Sequence, residues 1–394
     1  MLRVLYITRM NYLSNKSHVY TTAKSCEAMN SVNNTEATLV STDNSLVNDS
    51  EKLKFFKDFD IKPFKVVSID SWSNSFKDGS SRLINWLETI TTDLSMVRFV
   101  FSQRKDFDVL YFRDSTLFFS VLITKIFLRK PVFMELHAIL SSSLKRKMTE
   151  FLAKRADGLI SISCGLKDYY DNINNTGMMS FCAASEPERI KNITESVKDL
   201  RDKYNLPKDK VLIGYVGTLS YTGNYDSYGI EDIISALPLL DENIVFVGVG
   251  KKNDKEVKHL EELAAKLNVR DRVIFLPRVS KKEAVEYLLA FDILVHPRAG
   301  AKVANSPAKL FEWLSSGKPI VAAKTQAISE ILTNERDALL VDYKDPKAWS
   351  SAIQNLIEGK GLKEKLVGGA QETAKIHTWE KRGKTIIRFI NENK

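Results

Sequence analysis

A lysine and a glutamate three residues apart, Lys309 and Glu312, stand at the start of a short predicted helix. This spacing places both side chains on one face of the helix, close to its N-terminus. Free backbone N–H groups and a partial positive charge at such an end suit a phosphate. A cation for a phosphate beside a carboxylate for a diol predicts a nucleotide-sugar site. The alternative is an ordinary helix-to-strand turn with a surface ion pair.

The segment around this pair, Ser306-Pro-Ala-Lys-Leu-Phe-Glu-Trp-Leu-Ser-Ser-Gly-Lys-Pro-Ile-Val-Ala322, predicts a loop, a helix and a strand. The loop 305–307 precedes a helix that runs from about 309 to 316. Gly317 ends this helix, and residues 319–322 are typical of a buried parallel strand. The two charged side chains would therefore be held between a loop and a sheet.

The same alternation of helix and strand extends along the whole chain, with short strands rich in valine and isoleucine. Continuous apolar strands between amphipathic helices predict parallel α/β sheets with helices on both faces. Two series of such strands predict two doubly wound, Rossmann-like domains, which bind ligands at the carboxyl ends of their strands. The predicted strands are 3–8, 37–42, 64–69, 109–112, 132–136, 158–163, 211–216, 244–248, 273–276, 293–296, 319–322 and 338–341. The predicted domains are 1–190 and 191–375, followed by a C-terminal helix in 376–394.

Composition is typical of a soluble globular protein: the 394 residues are 44% hydrophobic and 27% charged, which is enough for two cores. The three cysteines have no C-x-x-C spacing, so we expect neither a disulfide framework nor a zinc site. No apolar run is long enough to span a bilayer, and residues 1–8 predict a strand rather than a signal peptide. We therefore expect a cytoplasmic location.

The net charge of +9 is unevenly distributed, because residues 98–155 hold 12 Lys and Arg against 5 Asp and Glu. Apolar stretches at 96–101 and 118–123 interleave with these cations. The mixture suits contact with anionic lipid at the inner leaflet of a membrane, or with a phosphorylated acceptor. The alternative is a set of ordinary helices with solvated basic faces. Nothing in the sequence resembles a nucleic-acid-binding module, so no nucleic-acid partner is expected.

Further motifs follow one another in a fixed order along the chain. They are Glu135-Leu-His137, Ile213-Gly-Tyr-Val-Gly-Thr-Leu219, Val247-Gly-Val-Gly250 and Phe291-Asp-Ile-Leu-Val-His-Pro297, with weaker matches at 108–113 and 160–163. Together with 306–322, they resemble the retaining GT-B glycosyltransferases, in particular the family-four group, over nearly the full length. The segment 306–322 resembles the Ser-Pro-x-Lys-Leu-Phe-Glu variant of that group.

For the second domain, this resemblance implies a nucleotide-diphosphate sugar as donor. Glu312 would accept hydrogen bonds from ribose hydroxyls, because a carboxylate is an acceptor with several lone pairs. Lys309 would face the diphosphate, and glycines after two strands would let the backbone approach the donor closely. The implied donor-binding residues are Gly217, Thr218, Gly248, Gly250, Arg298, Ser306, Pro307, Ala308 and Leu310.

For the first domain, the resemblance implies a catalytic role for His137, at the end of a predicted strand. Its ring would donate or accept a hydrogen bond at a sugar hydroxyl, or transfer a proton. The loop Asn11-Tyr-Leu-Ser-Asn-Lys-Ser-His18 resembles the subgroup variant that replaces a Gly-Gly loop. The implied acceptor-side residues are Ser14, Asn15, Lys16, His18 and Arg113. For Arg113, a salt bridge with Asp114 is the structural alternative.

Three positions depart from the family pattern. Ala304 stands where the first of two glutamates usually falls, Thr218 replaces an arginine, and Tyr228 precedes Gly229 where a lysine is common. A leaving diphosphate needs positive charge, because stabilising it supplies much of the rate. In addition to Lys309, either Arg298 or Lys302 is expected to supply that charge.

Two Asp-x-Asp motifs, Asp58-Phe-Asp60 and Asp106-Phe-Asp108, match the pattern that holds a divalent metal in another glycosyltransferase fold. Both precede predicted strands in polar turns, so we interpret them as turn and capping residues. The resemblance also implies an architecture that works without metal, and no metal site is expected. Carboxylate pairs suited to glycoside hydrolysis are not evident.

The sequence therefore predicts a metal-independent, retaining GT-B glycosyltransferase with no cofactor other than a UDP- or GDP-linked sugar. Its acceptor would be a glycan or a lipid-linked molecule in the assembly of a surface polysaccharide or lipopolysaccharide. By resemblance, the C-terminal helix would pack back on the first domain. Two alternatives stay open: a nucleotide-sugar 2-epimerase, and a non-catalytic GT-B scaffold or binding protein.

Overall fold

The computed structural model describes residues 1–9, 17–41, 48–69, 82–113, 117–219, 228–251, 254–298 and 307–394. These residues form two compact units. The first unit contains residues 1–182 and 379–394, and the second contains residues 183–378. Each unit has its own parallel sheet.

The sheet of the first unit has seven strands in the order β3-β2-β1-β4-β5-β6-β7, all paired in parallel. Strands β4 and β5 are buried at every position, as expected for a sheet that is covered on both faces. The strands are β1 (Leu2–Thr8), β2 (Thr35–Ser41), β3 (Val66–Ser68), β4 (Val109–Phe112), β5 (Val132–Leu136), β6 (Gly158–Ser161) and β7 (Gly177–Met179).

Within the described ranges, six helices connect these strands, as parallel pairing requires crossover connections. Asn48 caps α2 through a reciprocal capping box with Glu51, and Asp93 of α3 accepts backbone hydrogen bonds at the start of α4. The helices are α1 (Ser17–Asn30), α2 (Asp49–Phe59), α3 (Arg82–Ser102), α4 (Phe118–Ile126), α5 (Ser143–Ala153) and α6 (Cys164–Asp171).

The sheet of the second unit has six parallel strands in the order β10-β9-β8-β11-β12-β13. These strands are β8 (Val211–Val216), β9 (Ile244–Lys251), β10 (Val273–Pro277), β11 (Ile293–His296), β12 (Ile320–Ala323) and β13 (Leu339–Val341). Its helices are α7 (Pro187–Lys191), α8 (Val197–Lys203), α9 (Ile230–Ala236), α10 (Lys258–Lys266), α11 (Lys281–Ala290), α12 (Lys309–Ser315), α13 (Gln326–Ser329), α14 (Pro346–Glu358) and α15 (Lys360–Ile376). Single 3₁₀ turns occupy Leu237–Leu239, Asp254–Glu256 and Arg270–Arg272.

The last helix, α16 (Trp379–Asn393), belongs to the first unit and packs against α1. Its apolar face contributes Ile386, Ile387 and Ile390 to the core of that unit. Gly383 permits this contact, because a side chain there would overlap the carbonyl oxygen of Ala28. The end of the chain therefore completes the first unit.

The predicted fold of two doubly wound parallel α/β domains is confirmed, and all twelve predicted strands are present. In each sheet the order of strands reverses at one place, between β1 and β4 and between β8 and β11. Crevices at the carboxyl ends of such strands are where this fold binds ligands. Among the described residues, no helix is both long and apolar enough to cross a membrane.

Candidate functional site

In the second unit, glycines near the carboxyl ends of two adjacent strands lie in close contact with neighbouring groups. A Cβ on Gly217 would overlap the Lys309 ammonium, and a Cβ on Gly250 would overlap the Gly217 carbonyl oxygen. Gly229 has a φ of 69°, and a Cβ there would overlap the Pro297 carbonyl oxygen. The carboxyl ends of β8, β9 and β11 thus meet in a tightly packed backbone cradle.

The ammonium of Lys309 lies in this cradle. Its Nζ donates to the hydroxyl of Tyr215 at 2.9 Å and lies 4.7 Å from the centre of that ring. Burial lowers the pKa of Lys309 to about 7, and the nearby cations Arg298 and Arg278 add to the shift. No ion pair joins Lys309 to a carboxylate among the residues that the structure describes. The site therefore holds partly buried positive charge that an anion would stabilise.

Arg298, at the carboxyl end of β11, adds a second cation to the cradle. Its guanidinium carbon lies 5.4 Å from the ring centre of Tyr228, and Lys309 Nζ lies 5.9 Å from the same ring. The Nε of Arg298 is buried and has no hydrogen-bond partner within the described part of the chain. The ring of Tyr228 thus lies within cation–π distance of both cations.

Beside these cations lies His296, which sequence reasoning did not single out. Burial lowers its pKa to about 3, with further contributions from Lys309 and Arg298, so the ring is neutral at physiological pH. The ring packs against Trp313 at 5.4 Å between centroids, and its Nδ1 has no partner among the described residues. Its signals in the sequence are its place at the end of a predicted strand and within the motif Phe291-Asp-Ile-Leu-Val-His-Pro297.

Glu312 lies on α12, where its carboxylate forms an ion pair with Lys281 of α11. The two charged residues at the start of α12 do not pair with each other, since Lys309 donates to Tyr215 instead. The Glu312 side chain is 18% exposed, so it is accessible at the surface of the second unit. An ion pair leaves a carboxylate with spare lone pairs for further donors.

The other predicted donor residues lie on β9, just after β8 and at the start of α12. The carbonyl of Thr218 accepts a hydrogen bond from the Tyr215 hydroxyl, and the carbonyl of Pro307 accepts one from the Leu310 amide. Gly248 packs against Phe275, and Ala308 immediately precedes α12. The predicted residues Ser306, Lys302 and Ala304 lie outside the described residues.

In the first unit, a buried carboxylate organises a second cluster. Glu135, on β5, contacts His137 Nε2 at 2.6 Å, accepts from Arg382 Nη2 at 3.0 Å, and also accepts from the Tyr111 hydroxyl. Burial alone would raise the pKa of Glu135, but Arg382 and His137 hold it well below its usual range. Glu135 is therefore a fixed negative charge.

His137 is held by partners on both ring nitrogens. Nε2 faces the Glu135 carboxylate, and Nδ1 lies 3.3 Å from Nη2 of Arg113, which can only donate. The ring proton is therefore assigned to Nε2. Burial and Arg113 lower the pKa of His137, against the opposing effect of Glu135. The arrangement fixes a neutral imidazole in one orientation.

Arg113 connects this histidine to the start of α1. Its Nη1 donates to the backbone carbonyl of His18 at 3.3 Å and to the hydroxyl of Thr22. The structure thus brings together three of the predicted residues of the first domain: His18, Arg113 and His137. The predicted residues Ser14, Asn15 and Lys16, and the alternative partner Asp114, lie outside the described residues.

The Asp-x-Asp motifs take part in local structure. Asp60 follows α2 in a left-handed conformation, with φ of 52°, and Asp108 accepts from the backbone and guanidinium of Arg3 at 2.8 and 2.7 Å. The side chains of Asp58 and Asp106 are exposed. In the described ranges, no three His, Cys, Asp or Glu side chains are grouped so that they could hold a metal ion.

Comparison with known families matches residues 196–373 to the family described as Glycosyl transferases group 1. A D-inositol 3-phosphate glycosyltransferase of Xylanimonas cellulosilytica is 27% identical over 183 residues, which cover 46% of this chain and 42% of that protein. The lipopolysaccharide core biosynthesis glycosyltransferase LpsD of Rhizobium meliloti is 31% identical over 153 residues, covering 39% and 42%. The chain thus spans about two fifths of the length of these curated relatives. The matches support a group 1 glycosyltransferase domain in the second unit.

Solved structures resemble the chain over its full length. Anabaena Alr3699/HepE in complex with UDP superimposes with a TM-score of 0.77 at 16% identity, over 99% of this chain and 100% of that chain. The same protein has been solved in complex with UDP-glucose. WaaG, a glycosyltransferase involved in lipopolysaccharide biosynthesis, gives a TM-score of 0.65 at 13% identity, over 98% and 99%. At these identities the likeness shows the fold, which is that of the GT-B neighbours.

Proposed function

We propose that this chain is a retaining group 1 glycosyltransferase that moves a sugar from a nucleotide-diphosphate sugar to a glycan or lipid-linked acceptor. The observation that carries the proposal is the partly buried ammonium of Lys309, which lies against the Gly217 backbone beside Arg298. Positive charge withdrawn from water in this way is costly unless an anion binds to it. The family match over 196–373 supports a nucleotide sugar as that anion.

Lys309 and Arg298 would stabilise the charge that develops on the leaving diphosphate. Cations aimed at developing charge in a water-excluded site supply a large part of the rate in transfer reactions. The Gly217 backbone, which has no side chain, would let the Lys309 ammonium approach it closely and present its charge to the phosphates. In this proposal, Arg298 supplies positive charge in place of the arginine and lysine that the resembled family usually has at the positions of Thr218 and Tyr228. The same two cations would do the work that a divalent ion does in other glycosyltransferases, so transfer would need no metal.

The first-unit cluster of His18, Arg113 and His137 would bind the acceptor or the sugar. A neutral imidazole with a fixed orientation suits a hydrogen bond or a close contact with a hydroxyl better than proton transfer. The similarity to LpsD supports an acceptor in lipopolysaccharide or surface polysaccharide assembly. A lipid-linked acceptor would also require peripheral contact with a membrane, for which the basic stretch 98–155 is suited.

The proposal is tested by calorimetry and thermal shift with UDP, GDP, ADP, CMP and UDP-glucose, each with and without EDTA. We expect one nucleoside diphosphate, UDP first because HepE was solved with it, to raise Tm in a concentration-dependent way that EDTA does not change. A chain that binds none of these ligands would be a non-catalytic GT-B scaffold instead.

Substitution of Glu312 separates recognition of the nucleoside from recognition of the diphosphate. Glu312→Gln is expected to weaken UDP binding about tenfold, because a charged acceptor for ribose hydroxyls is lost. Binding of inorganic pyrophosphate should not change, since that ligand has no ribose. Glu364→Gln, at an exposed position of α15, serves as the matched control in the same calorimetric titrations. Equal weakening of both ligands would contradict the assignment of Glu312 to the ribose.

Binding of UDP is expected to depend on pH through Lys309. Its pKa of about 7 in the unliganded site means that much of the ammonium is deprotonated above that pH, whereas a bound diphosphate favours the protonated form. UDP affinity should therefore fall as pH rises from about 7 to 9, by up to tenfold per unit, with uptake of a proton on binding. Calorimetry in buffers of different ionisation enthalpy measures this proton. A flat affinity profile over this range would rule out Lys309 as the titrating group.

A further inference from the structure

Large apolar side chains are exposed at seven-residue spacing on three consecutive helices of the first unit. Seven residues are about two helical turns, so the members of each series lie on one face of their helix. Their exposed fractions run from 39% at Phe151 to 66% at Leu144, and Phe127 at the end of α4 reaches 74%. The series are Leu87, Leu94 and Phe101 on α3, Phe119 and Ile126 on α4, and Leu144 and Phe151 on α5. With Phe127, these side chains are named here the α3–α5 surface.

Contacts between the helices join the three series into one surface. The amide of Phe119 donates to the carboxylate of Asp93 at 2.6 Å, which holds the start of α4 against α3. The residue that follows Asp93 on α3 is Leu94. Phe118 of α4 links the α4 and α5 series, because its ring lies 5.6 Å from that of Phe119 and 5.7 Å from that of Phe151. An exposed contiguous apolar surface of this kind marks an interaction site rather than ordinary exposure.

Cations lie directly on this apolar surface. The guanidinium of Arg155 lies 3.5 Å from the ring centre of Phe151, and that of Arg104 lies 5.5 Å from the ring centre of Phe101. Lys145 and Lys147 are exposed on α5 beside Leu144. Basic side chains with apolar stems around aromatic rings are typical of surfaces that rest at the boundary between lipid headgroups and acyl chains.

We infer that the α3–α5 surface binds the face of an anionic phospholipid bilayer. Its apolar side chains would enter the headgroup boundary, and the surrounding cations would contact lipid phosphates. The charge favours this occupant over a second copy of the chain, because two such basic surfaces would repel each other. The inference deepens the lipid-linked acceptor of the proposed function, but its measurement needs no nucleotide sugar.

The test is co-sedimentation of the full chain with vesicles of equal parts phosphatidylglycerol and phosphatidylcholine, compared with vesicles of phosphatidylcholine alone. The native chain is expected to bind the anionic vesicles and to be released by high salt. Ile126→Ser with Phe127→Ser, and separately Lys145→Gln with Lys147→Gln, should each weaken that binding about tenfold or more. The matched control is Leu239→Ser with Ile376→Ser, two side chains of the second unit that are 54% and 57% exposed.

Three outcomes would overturn the inference. The first is that the native chain does not bind anionic vesicles. The second is that the control variant loses as much vesicle binding as the variants of the α3–α5 surface. The third is a concentration-dependent dimer, seen by sedimentation velocity, that Ile126→Ser with Phe127→Ser abolishes, since the surface would then be covered by a second copy. Circular dichroism of each variant tests whether the fold is intact, and titration with UDP tests whether the donor site is intact. If the native chain binds UDP but not vesicles, this inference fails and the proposed function stands. If it binds vesicles but no nucleotide, the proposed function fails and this inference stands.

Discussion

Lys309→Met is expected to lower kcat/KM for sugar transfer about a hundredfold or more without lowering the thermal stability of the chain. Removal of one group that stabilises developing charge typically costs a factor of 10² to 10³ in rate, about 3 to 4 kcal/mol. The side chain would leave the cradle around Gly217 without its ammonium, while Arg298 remained. Methionine fills a similar volume, so the packing against Tyr215 would persist.

The absence of a stability loss has its own physical reason. The folded pKa of Lys309, about 7, lies below that of an unfolded lysine, so folding is opposed by the cost of burying its charge. That cost is fully present below pH 7 and declines as pH rises towards 10, because the unfolded chain then binds more protons than the folded one. Methionine removes this cost. We therefore expect the Tm of the variant at pH 7 to equal or exceed that of the native chain.

A second partly buried lysine, Lys318, provides the control for this experiment. Burial lowers the pKa of Lys318 to about 8, but its charged neighbours are Asp292, Lys363 and Arg201 rather than the groups of the cradle. Lys318→Met should leave kcat/KM within about twofold of the native value. If the two variants lost the same activity, the loss would reflect removal of a lysine from the interior of this unit and not a role of Lys309 at the diphosphate. Unchanged turnover in Lys309→Met would remove the diphosphate role.

The fold was predictable from local signals because a strand buried on both faces is a continuous apolar run. The predicted limits of β4, β5, β8 and β11 match the structure residue for residue. Strand β7 was missed, because Gly177-Met-Met179 is three residues long, half-buried and without β-branched side chains. The end of α12 was likewise predictable from Gly317, which follows it.

Contacts between distant residues were not predictable in the same way. Tyr215 and Lys309 are 94 positions apart, and Glu135 and Arg382 are 247 apart, so no spacing in the sequence relates them. Glu135 belongs to the sequence motif Glu135-Leu-His137, but the motif does not reveal that the Glu135 carboxylate contacts Nε2 of His137. These pairings depend on which strand ends and helices meet, and a single sequence carries no record of that.

Arg382→Met is expected to reduce the free energy of unfolding by about 3 to 5 kcal/mol, the usual cost of leaving one member of a buried ion pair without its partner. Arg382 donates to Glu135 at 3.0 Å, to the hydroxyls of Ser25 and Ser180 at 3.2 and 2.7 Å, and to the carbonyl of Phe181. It thereby ties α16 to three other parts of the first unit. Urea unfolding monitored by circular dichroism measures the loss.

The size of this loss should depend on pH in a defined direction. In the native chain the pKa of Glu135 is held low, so its charged form contributes stability at pH values above about 4.3, the unfolded pKa, and loses it as pH falls. Without Arg382, burial is no longer offset by its strongest opposing charge, and the carboxyl is protonated more easily. The difference between variant and native chain should therefore be largest near pH 7 and shrink towards pH 4.

A double-mutant cycle decides whether the loss of stability in Arg382→Met comes from the ion pair with Glu135 or from the other contacts of Arg382. If the buried charge of Glu135 is the source of the cost, Glu135→Gln combined with Arg382→Met should cost less than the sum of the single changes, because no unpaired charge remains. Arg388→Met, at a position of α16 with 72% side-chain exposure, should cost less than about 0.5 kcal/mol. Strict additivity in the cycle would show that Arg382 acts through its contacts to Ser25, Ser180 and Phe181, and that Glu135 and His137 are held independently of α16.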